Sequence, residues 1–269
     1  MSALTDFRWP EGARCAVCVT VNFNGESVEQ QTLPGQPLWG RYSFGRYGAQ
    51  AGADRLLEVF ERYGVRATFF VPAWDAERYP EVMERIAAAG HEVAGHGYAY
   101  EDFSQLTPDE QRSVLERSET TFARVFGRKP TGWRAPEGLM GAETRGLLAE
   151  LGYRYDSSYC DDDLPYVATD APGHRLVELP VFNSSGDRMY YARHRWPHVV
   201  AAALQEEFQA VYAIGGLFNL VLHPRGDYGS GRGVRIRAVA SVLETIREQP
   251  LTWMPTCQEL ADWMLESTP

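Results

Sequence analysis

A chain of 269 residues can bury one large core or two smaller ones, and its 44% hydrophobic and 23% charged residues are typical of a globular protein. Its formal net charge of −10 argues against nucleic acid as the main partner, because phosphate binding requires clustered cations. The first residues have no cationic segment followed by an apolar run, and no apolar run reaches the roughly 20 residues of a membrane span. We therefore expect a cytoplasmic location and no membrane partner.

Short apolar strands alternate with amphipathic helices along the chain. Hydrophobic periodicity and flanking turn residues predict strands at 15–21, 67–71, 91–95, 132–134, 153–155, 176–181, 217–222 and 251–254. The same criteria predict helices at 54–63, 75–89, 108–126, 143–151, 198–213, 234–248 and 257–265. The third helix has the clearest start, a capping box that begins at Thr107 with proline at the first helical position.

One parallel-stranded domain is the simplest organisation of these repeated units, because no linker or composition break divides residues 1–269. A long loop, residues 24–49, is rich in glycine, proline and aromatic residues and follows the first strand. The local pattern is compatible with either a barrel or an open doubly wound sheet.

Cys15 and Cys18 form a C-x-x-C sequence inside an apolar strand, where residues three apart point to opposite faces, so we interpret them as structural.

Polar side chains stand where several of the predicted strands end: Asn22, Asn24, His96, Arg134 and His223. In parallel α/β barrels the reactive groups come from the carboxyl ends of the strands and the loops that follow them. Several such residues on the same side of one barrel favour a functional site over coincidence.

Four stretches carry a family resemblance: VTVNFNGES (19–27), HEVAGHGYAYED (91–102), GWRAPEG (132–138) and FNLVLHPRG (218–226). Together they resemble the motifs of the polysaccharide deacetylase family, also called NodB-type or carbohydrate esterase family four. The resemblance extends over residues 14–263. It implies a distorted (β/α)7 barrel of the α/β class, amide hydrolysis, and a metal ion held by an acid and two histidines.

The metal positions that the resemblance implies are altered here. Asn22 and Asn24 replace the family's two acids, and an amide oxygen is a weak, uncharged ligand. Tyr100 replaces the second histidine, which leaves His96 as the one good ligand, whereas a catalytic zinc usually has three. We therefore predict no metal and no other cofactor, with Asn22, Asn24 and Tyr100 contacting the substrate instead.

Two glutamates are candidates for the missing acid–base residue. The segment VNFNGE is similar to the V-N-Y-E-E-G-G-E stretch of metal-independent allantoinases in the same superfamily, which indicates Glu26, although a solvated loop acid is an equal alternative. Glu137 stands in W-R-A-P-E-G, which resembles the family's R-P-P-Y-G. There the arginine orients the catalytic acid, so Arg134 is expected to pair with Glu26, Glu137 or an anionic substrate, because an unpaired buried guanidinium is costly.

His223 is the predicted proton donor to the leaving nitrogen, because the resembled strand ends in a histidine with this role and imidazole titrates near neutral pH. Trp133, Trp39 and Arg188 are predicted to contact the substrate. The last two lie in segments 39–47 and 183–196, which interleave aromatic residues with arginines. Such surfaces favour planar or anionic small molecules, and they are equally typical of a subunit interface in a homo-oligomer.

The function that follows is hydrolysis of an amide or cyclic amide in a small molecule, by a metal-independent C–N hydrolase. In this hypothesis Glu26 or Glu137 activates a water, while His96, Asn24 and Tyr100 donate hydrogen bonds to the carbonyl oxygen. Two other classes remain open: a catalytically silent barrel that binds a ligand, and non-hydrolytic chemistry such as isomerisation or cyclisation.

Overall fold

The computed structural model describes residues 7–168 and 174–267. In this part of the chain the strands are β1 (Cys15–Asn22), β2 (Thr68–Val71), β3 (Glu92–Gly95), β4 (Gly132–Trp133), β5 (Tyr155–Asp156), β6 (Tyr166–Val167), β7 (Val177–Glu178), β8 (Leu217–Leu222) and β9 (Thr252–Trp253). The α-helices are α1 (Ser27–Thr32), α2 (Phe44–Tyr47), α3 (Ala53–Tyr63), α4 (Ala73–Arg78), α5 (Pro80–Ala88), α6 (Pro108–Phe126), α7 (Thr144–Glu150), α8 (Asp187–Tyr191), α9 (Pro197–Ile214), α10 (Gly233–Glu248) and α11 (Cys257–Ser267).

The parallel strands form a curved sheet in the order β7-β5-β4-β3-β2-β1-β8. An isolated parallel bridge between Gly186 and Val221 joins the segment after β7 to β8. β6 pairs antiparallel with β7, and β9 pairs with the start of β1. The expected distorted (β/α)7 barrel is confirmed, and one continuous sheet runs through the described residues.

Alternation along β1 explains where the polar site lies. Cys15, Val17, Val19 and Val21 pack in the core that includes α3, α9 and α10, whereas Ala16 and Cys18 pack in a second cluster with α11. The face of Ala16 and Cys18 continues to Thr20 and Asn22, so the barrel interior is apolar below and polar at the carboxyl end of the strand. The two cysteines occupy opposite faces, as predicted, and both are free and buried.

Two predicted elements are wrong, each for a local physical reason. The single helix expected at 75–89 is divided into α4 and α5, because Tyr79 precedes Pro80 and takes a non-helical conformation (φ −128°, ψ 53°). The loop expected at 24–49 contains α1 and α2. Backbone N–H groups of Gly25 and Ser27 donate to the buried carboxylate of Asp75, which fixes the chain at the start of α1.

The observed limits differ most from the predicted ones at the short strands. The predicted strand 176–181 is reduced to β7, and β6 has no counterpart among the predicted elements. By contrast, β8 and α6 have the predicted limits, and the capping box at Thr107 and Glu110 is present. Among the described residues, no helix is long and apolar enough to cross a membrane.

Candidate active site

A cavity of about 580 Å³ opens at the carboxyl ends of the parallel strands. Six of the predicted site residues line it: Asn22, Tyr100, Arg134, Glu137, Arg188 and His223. Its remaining wall includes Ser157, Ser158, Cys160, Phe182, Asn183, Met189 and Arg193. The structure therefore gathers residues from four distant motifs at the edge where parallel barrels carry their active sites.

His223 is held in a defined orientation by Asp187. The Asp187 carboxylate accepts the backbone N–H of His223 at 3.0 Å, and its other oxygen lies 2.7 Å from Nδ1 of the imidazole. Both side chains are buried. Since the carboxylate accepts, Nδ1 carries the proton and Nε2 of the neutral ring offers its lone pair, on a side chain that lines the cavity.

The Arg134 guanidinium is buried beneath the cavity and stacks 4.0 Å from the centre of the Phe70 ring. Its five N–H bonds go to neutral oxygens: the carbonyl and hydroxyl of Ser157, the hydroxyl of Thr20, and the amide oxygens of Asn22 and Asn219. Of the three partners that we expected for Arg134, the two glutamates, Glu26 and Glu137, are therefore wrong. Burial lowers the pKa of Arg134, yet the group remains a cation because a guanidinium keeps its proton in proteins.

Asn22 presents a hydrogen-bond donor to the cavity. Arg134 Nη1 donates to the Asn22 side chain at 2.9 Å, and because a guanidinium only donates, the contacted atom is Oδ1. The amide nitrogen Nδ2 has no acceptor among the described residues, and the side chain lines the cavity. Asn22 is thus fixed by one end, with two N–H protons left for a ligand.

His96 is closed off from the cavity and cannot act as the donor that we expected. Its Nδ1 lies 2.7 Å from the carbonyl oxygen of Arg134, which only accepts, so the proton is on Nδ1 and Nε2 is a bare lone pair. Nε2 is buried without a hydrogen-bond partner. Burial lowers the pKa of His96 to about 3, so the ring is neutral at physiological pH.

Tyr100 fills the space beside His96. Its ring packs edge-on against the imidazole, with centroids 5.5 Å apart, and its hydroxyl donates to Glu137 Oε1 at 2.8 Å. Asn24 Nδ2 donates to the hydroxyls of Tyr100 and Tyr228, at 3.1 and 3.2 Å. The donor protons of Asn24 and Tyr100 are therefore already used, and the predicted oxyanion role of Asn24, His96 and Tyr100 is not supported.

Glu137 bridges two parts of the cavity wall. It adopts a left-handed backbone conformation (φ 56°), and its second carboxylate oxygen forms an ion pair with Arg188. The Arg188 guanidinium also lies 4.8 Å from the centre of the Tyr228 ring. These contacts place both predicted residues at the cavity, and they leave each carboxylate oxygen of Glu137 already bound, one by Tyr100 and the other by Arg188.

Glu26 lies outside the cavity lining, in an ion cluster with Arg46, Arg78 and Tyr79. Burial raises the pKa of Glu26, but the hydrogen bonds from Tyr79, Arg46 and Arg78 outweigh this effect and hold the pKa below its usual range. A carboxylate that is buried, paired and acidified in this way is a structural anion. The structure therefore removes Glu26 from the acid–base candidates.

Neither predicted tryptophan contacts the cavity. Trp133 is buried in a core cluster, where its ring packs edge-on against Phe103 with centroids 4.9 Å apart. Trp39 is 74% exposed on the surface, in the segment after α1. Residue type alone does not distinguish a packed or surface indole from one in a binding site.

Comparison with known proteins explains these motifs. The sequence model described as polysaccharide deacetylase matches residues 42–155. A crystal structure of a putative polysaccharide deacetylase from Mycobacterium smegmatis is 32% identical, covers 99% of this chain and 94% of that one, and superposes with a TM-score of 0.92. The chain belongs to the polysaccharide deacetylase family.

The chain is also similar to an allantoinase and to a peptidoglycan deacetylase. The PuuE allantoinase structure is 26% identical, with 97% of this chain and 93% of that chain covered and a TM-score of 0.85. A peptidoglycan deacetylase from Helicobacter pylori is 36% identical over 46% of this chain and 43% of its own length. The chain spans about two fifths of the length of such curated relatives. Deacetylases of this family are hydrolases of C–N bonds.

The side chains at the position of the family's metal ion are not suitable ligands for a divalent cation. Asn24 Oδ1 and His96 Nε2 are buried acceptors without a partner, but both are neutral. The Tyr100 hydroxyl directs its proton to Glu137, and burial, reinforced by Tyr228 and Glu137, raises the pKa of Tyr100 well above its usual value. Two neutral ligands and an un-ionised phenol supply no negative charge to a zinc ion.

Sequence reasoning missed Asp187, Tyr228 and Ser157. Asp187 begins α8 inside the segment noted for Arg188, and a lone Asp among surface-type residues gave no sign that it pairs with a histidine 36 positions later. Tyr228 packs edge-on against His223 with centroids 5.3 Å apart. Two short strands bring Ser157 against Arg134, and no spacing rule in the sequence links these residues.

Proposed function

We propose that this protein hydrolyses the C–N bond of an amide or cyclic amide in a small molecule without a metal ion. The observation that carries the proposal is the Asp187–His223 pair, whose free Nε2 belongs to a side chain lining the cavity. A histidine oriented through Nδ1 by a buried carboxylate is the arrangement that hydrolases use for proton transfer.

In this mechanism His223 serves as base and then as acid. Nε2 takes a proton from a water whose oxygen attacks the carbonyl carbon, and the resulting imidazolium is stabilised by Asp187. As the tetrahedral intermediate collapses, the C–N bond breaks and Nε2–H gives its proton to the leaving nitrogen. One group can perform both steps because its ordinary pKa lies near neutrality.

Asn22 supplies the donor for the developing oxyanion. Its Nδ2 carries two protons without an acceptor among the described residues, while Oδ1 is fixed by Arg134. The buried Arg134 cation adds a favourable field beneath the same point, since its hydrogen bonds go to neutral groups. This pair replaces the set that the sequence suggested, because the donor protons of Asn24 and Tyr100 are consumed.

In this proposal Glu137 holds neighbouring side chains of the cavity wall in place and is not the base that activates water. Its two oxygens are bound by Tyr100 and Arg188, and these contacts hold three residues of the cavity lining together. The proposed metal independence rests on Asn24, His96 and Tyr100, whose neutral side chains would be poor ligands for a metal ion. The Lewis-acid role is then taken by preorganised hydrogen bonds, which are worth about 3 kcal/mol each in a good case.

A small substrate is supported by the size of the cavity and by the allantoinase relative. A volume of about 580 Å³ lies in the range of pockets for small ligands. Phe182 and Met189 give the wall apolar surface, whereas Asn22, Ser158 and Asn183 offer polar contacts.

The test is turnover by protein that has been dialysed against a chelator. Linear amides, cyclic imides and ureides are supplied in turn, and released acid, ammonia or amine is measured, with His223→Gln as the background for contaminating hydrolases. We expect turnover of at least one compound by wild type, and none by the variant. Tight binding of one compound without turnover of any would instead identify a silent barrel that binds its ligand.

A further inference from the structure

Arg193 is a cation of the cavity wall that the described residues do not neutralise. It lies just after α8, and its Nη1 donates to the carbonyl oxygen of Met189 at 2.6 Å. No carboxylate among residues 7–168 and 174–267 forms an ion pair with it, and Nε and Nη2 have no acceptor there. The part of the guanidinium fork that binds carboxylates in a bidentate manner is therefore available.

The other charges around the cavity are already balanced or cannot reach a ligand. Arg188 is paired with Glu137, and the buried Asp187 carboxylate, which binds the neutral ring of His223, is not part of the cavity lining. Arg134 is a buried cation whose N–H groups are all occupied by neutral oxygens. Its charge still acts across the cavity floor, because hydrogen bonds to neutral acceptors do not cancel it.

Two buried acids lie behind Ser157 and Ser158, and they do not give the cavity wall a net negative charge. Asp156 accepts from the backbone N–H of Ser157, and Glu178 accepts from that of Ser158. Burial raises the pKa of both carboxyl groups, and Arg145 lies 3.7 Å from Glu178. A cationic wall inside a chain of net charge −10 concentrates small anions at this point.

We propose that the substrate carries a carboxylate in addition to its scissile amide, and that Arg193 binds this carboxylate. The inference deepens the proposed hydrolase function and rests on it for the scissile group. Arg193, Asn22 and His223 line the same small cavity, so one molecule can present its carboxylate to Arg193 while its amide group lies between Asn22 and His223.

The experiment uses matched pairs of probes that differ in one group. Malonamate, succinamate and glutaramate each carry one amide and one carboxylate, and in the corresponding diamides a neutral carboxamide of the same size replaces the carboxylate. Affinity is measured by titration calorimetry at low salt and at 0.5 M NaCl, with wild type, Arg193→Gln and Arg195→Gln. Arg195→Gln is the control, because it removes the same charge from an exposed arginine outside the cavity lining.

We expect at least one ω-amido carboxylate to bind wild type roughly tenfold or more tightly than its diamide, with the advantage reduced by salt. Arg193→Gln should remove the advantage, and Arg195→Gln should retain it. Equal affinity for both members of every pair, no measurable binding of any carboxylate, or a preference that survives in Arg193→Gln would overturn the inference.

Failure of this inference can be told from failure of the proposed function. Carboxylate binding through Arg193 without hydrolysis of any amide would contradict the hydrolase and leave the anion site standing. Hydrolysis of diamides and ω-amido carboxylates with equal kcat/KM would contradict the anion site and leave the hydrolase standing.

Discussion

Two sides of the same barrel mouth carry the motifs of this family, and they differ in whether their hydrogen-bonding groups remain available. On the side of Asn24, His96 and Tyr100, the donor protons are already used and the ring of Tyr100 packs over the histidine. On the side of Asn22 and His223, one nitrogen of each side chain is left for a ligand. A motif residue can contact or react with a substrate directly only when one of its polar atoms is unoccupied.

The difference also separates two histidines that look equivalent in sequence. His96 and His223 both follow an apolar strand, and both hold their proton on Nδ1. The acceptor for His96 is a backbone carbonyl, and burial lowers its pKa to about 3. The acceptor for His223 is the Asp187 carboxylate, which stabilises an imidazolium, so this ring is suited to move protons.

The largest expected effect is at the Asp187–His223 pair. Asp187→Asn should lower kcat/KM by about 10³-fold or more, because the amide no longer stabilises the imidazolium and can favour the wrong tautomer. The measurement is the kcat/KM of the natural substrate or of the best compound from the amide panel. His96→Gln is the comparison, with an expected loss below tenfold in protein that remains folded. Similar losses in both variants would erase the distinction between the two histidines.

A smaller effect is expected from the two asparagines of the first motif. Asn22→Ala should reduce kcat about 100-fold by removing an oxyanion donor, with KM changed little. Asn24→Ala should reduce kcat by less than tenfold, because both of its amide protons go to tyrosine hydroxyls. Steady-state kinetics on both variants shows which loss of kcat is larger, and thermal midpoints check that both variants are folded. A larger loss for Asn24→Ala would reverse our assignment.

The metal position can be tested without any activity. The double variant Asn24→Asp with Tyr100→His places an acid and a second histidine beside His96, so it should bind about one zinc per chain. The wild type should bind none stoichiometrically, since its donors are neutral. Elemental analysis after zinc loading and gel filtration measures both. One tightly held zinc in the wild type would contradict the metal-free mechanism.

The last expected effect is on stability as a function of pH and leaves catalysis aside. The folded state keeps His96 neutral down to a pKa of about 3, whereas an unfolded histidine takes its proton near pH 6.5. Below about pH 6.5 the unfolded state therefore binds more protons. As the pH is lowered from about 6.5 towards 3, the free energy of unfolding therefore decreases, by up to about 1.4 kcal/mol per pH unit for this residue.

Urea unfolding of wild type and His96→Gln between pH 7 and 4 measures this contribution. The variant should show the shallower dependence, and His198→Gln, which changes an exposed histidine, should match the wild-type slope. Parallel slopes for wild type and His96→Gln would mean that His96 is not kept neutral by burial.

Much of the fold follows from local sequence patterns. Strand β8 and helix α6 have the predicted limits, because an apolar run and a capping box with proline are strong local signals. The short strands β5, β6 and β7 were poorly predicted, since two residues carry no readable periodicity. The split between α4 and α5 could have been read from the proline after Tyr79, which disfavours helix at that residue.

The sequence by itself determined the family, the barrel and the position of His223 at the end of a strand, because these depend on motifs and periodicities that each lie within one short segment. Only the tertiary structure decided which polar groups are free. It tied Glu26 to Arg46 and Arg78, gave Arg134 neutral partners, and joined Asp187 to His223. Hydrogen bonds between residues far apart in the chain follow from how the strands are brought together in the barrel, and no single segment encodes them.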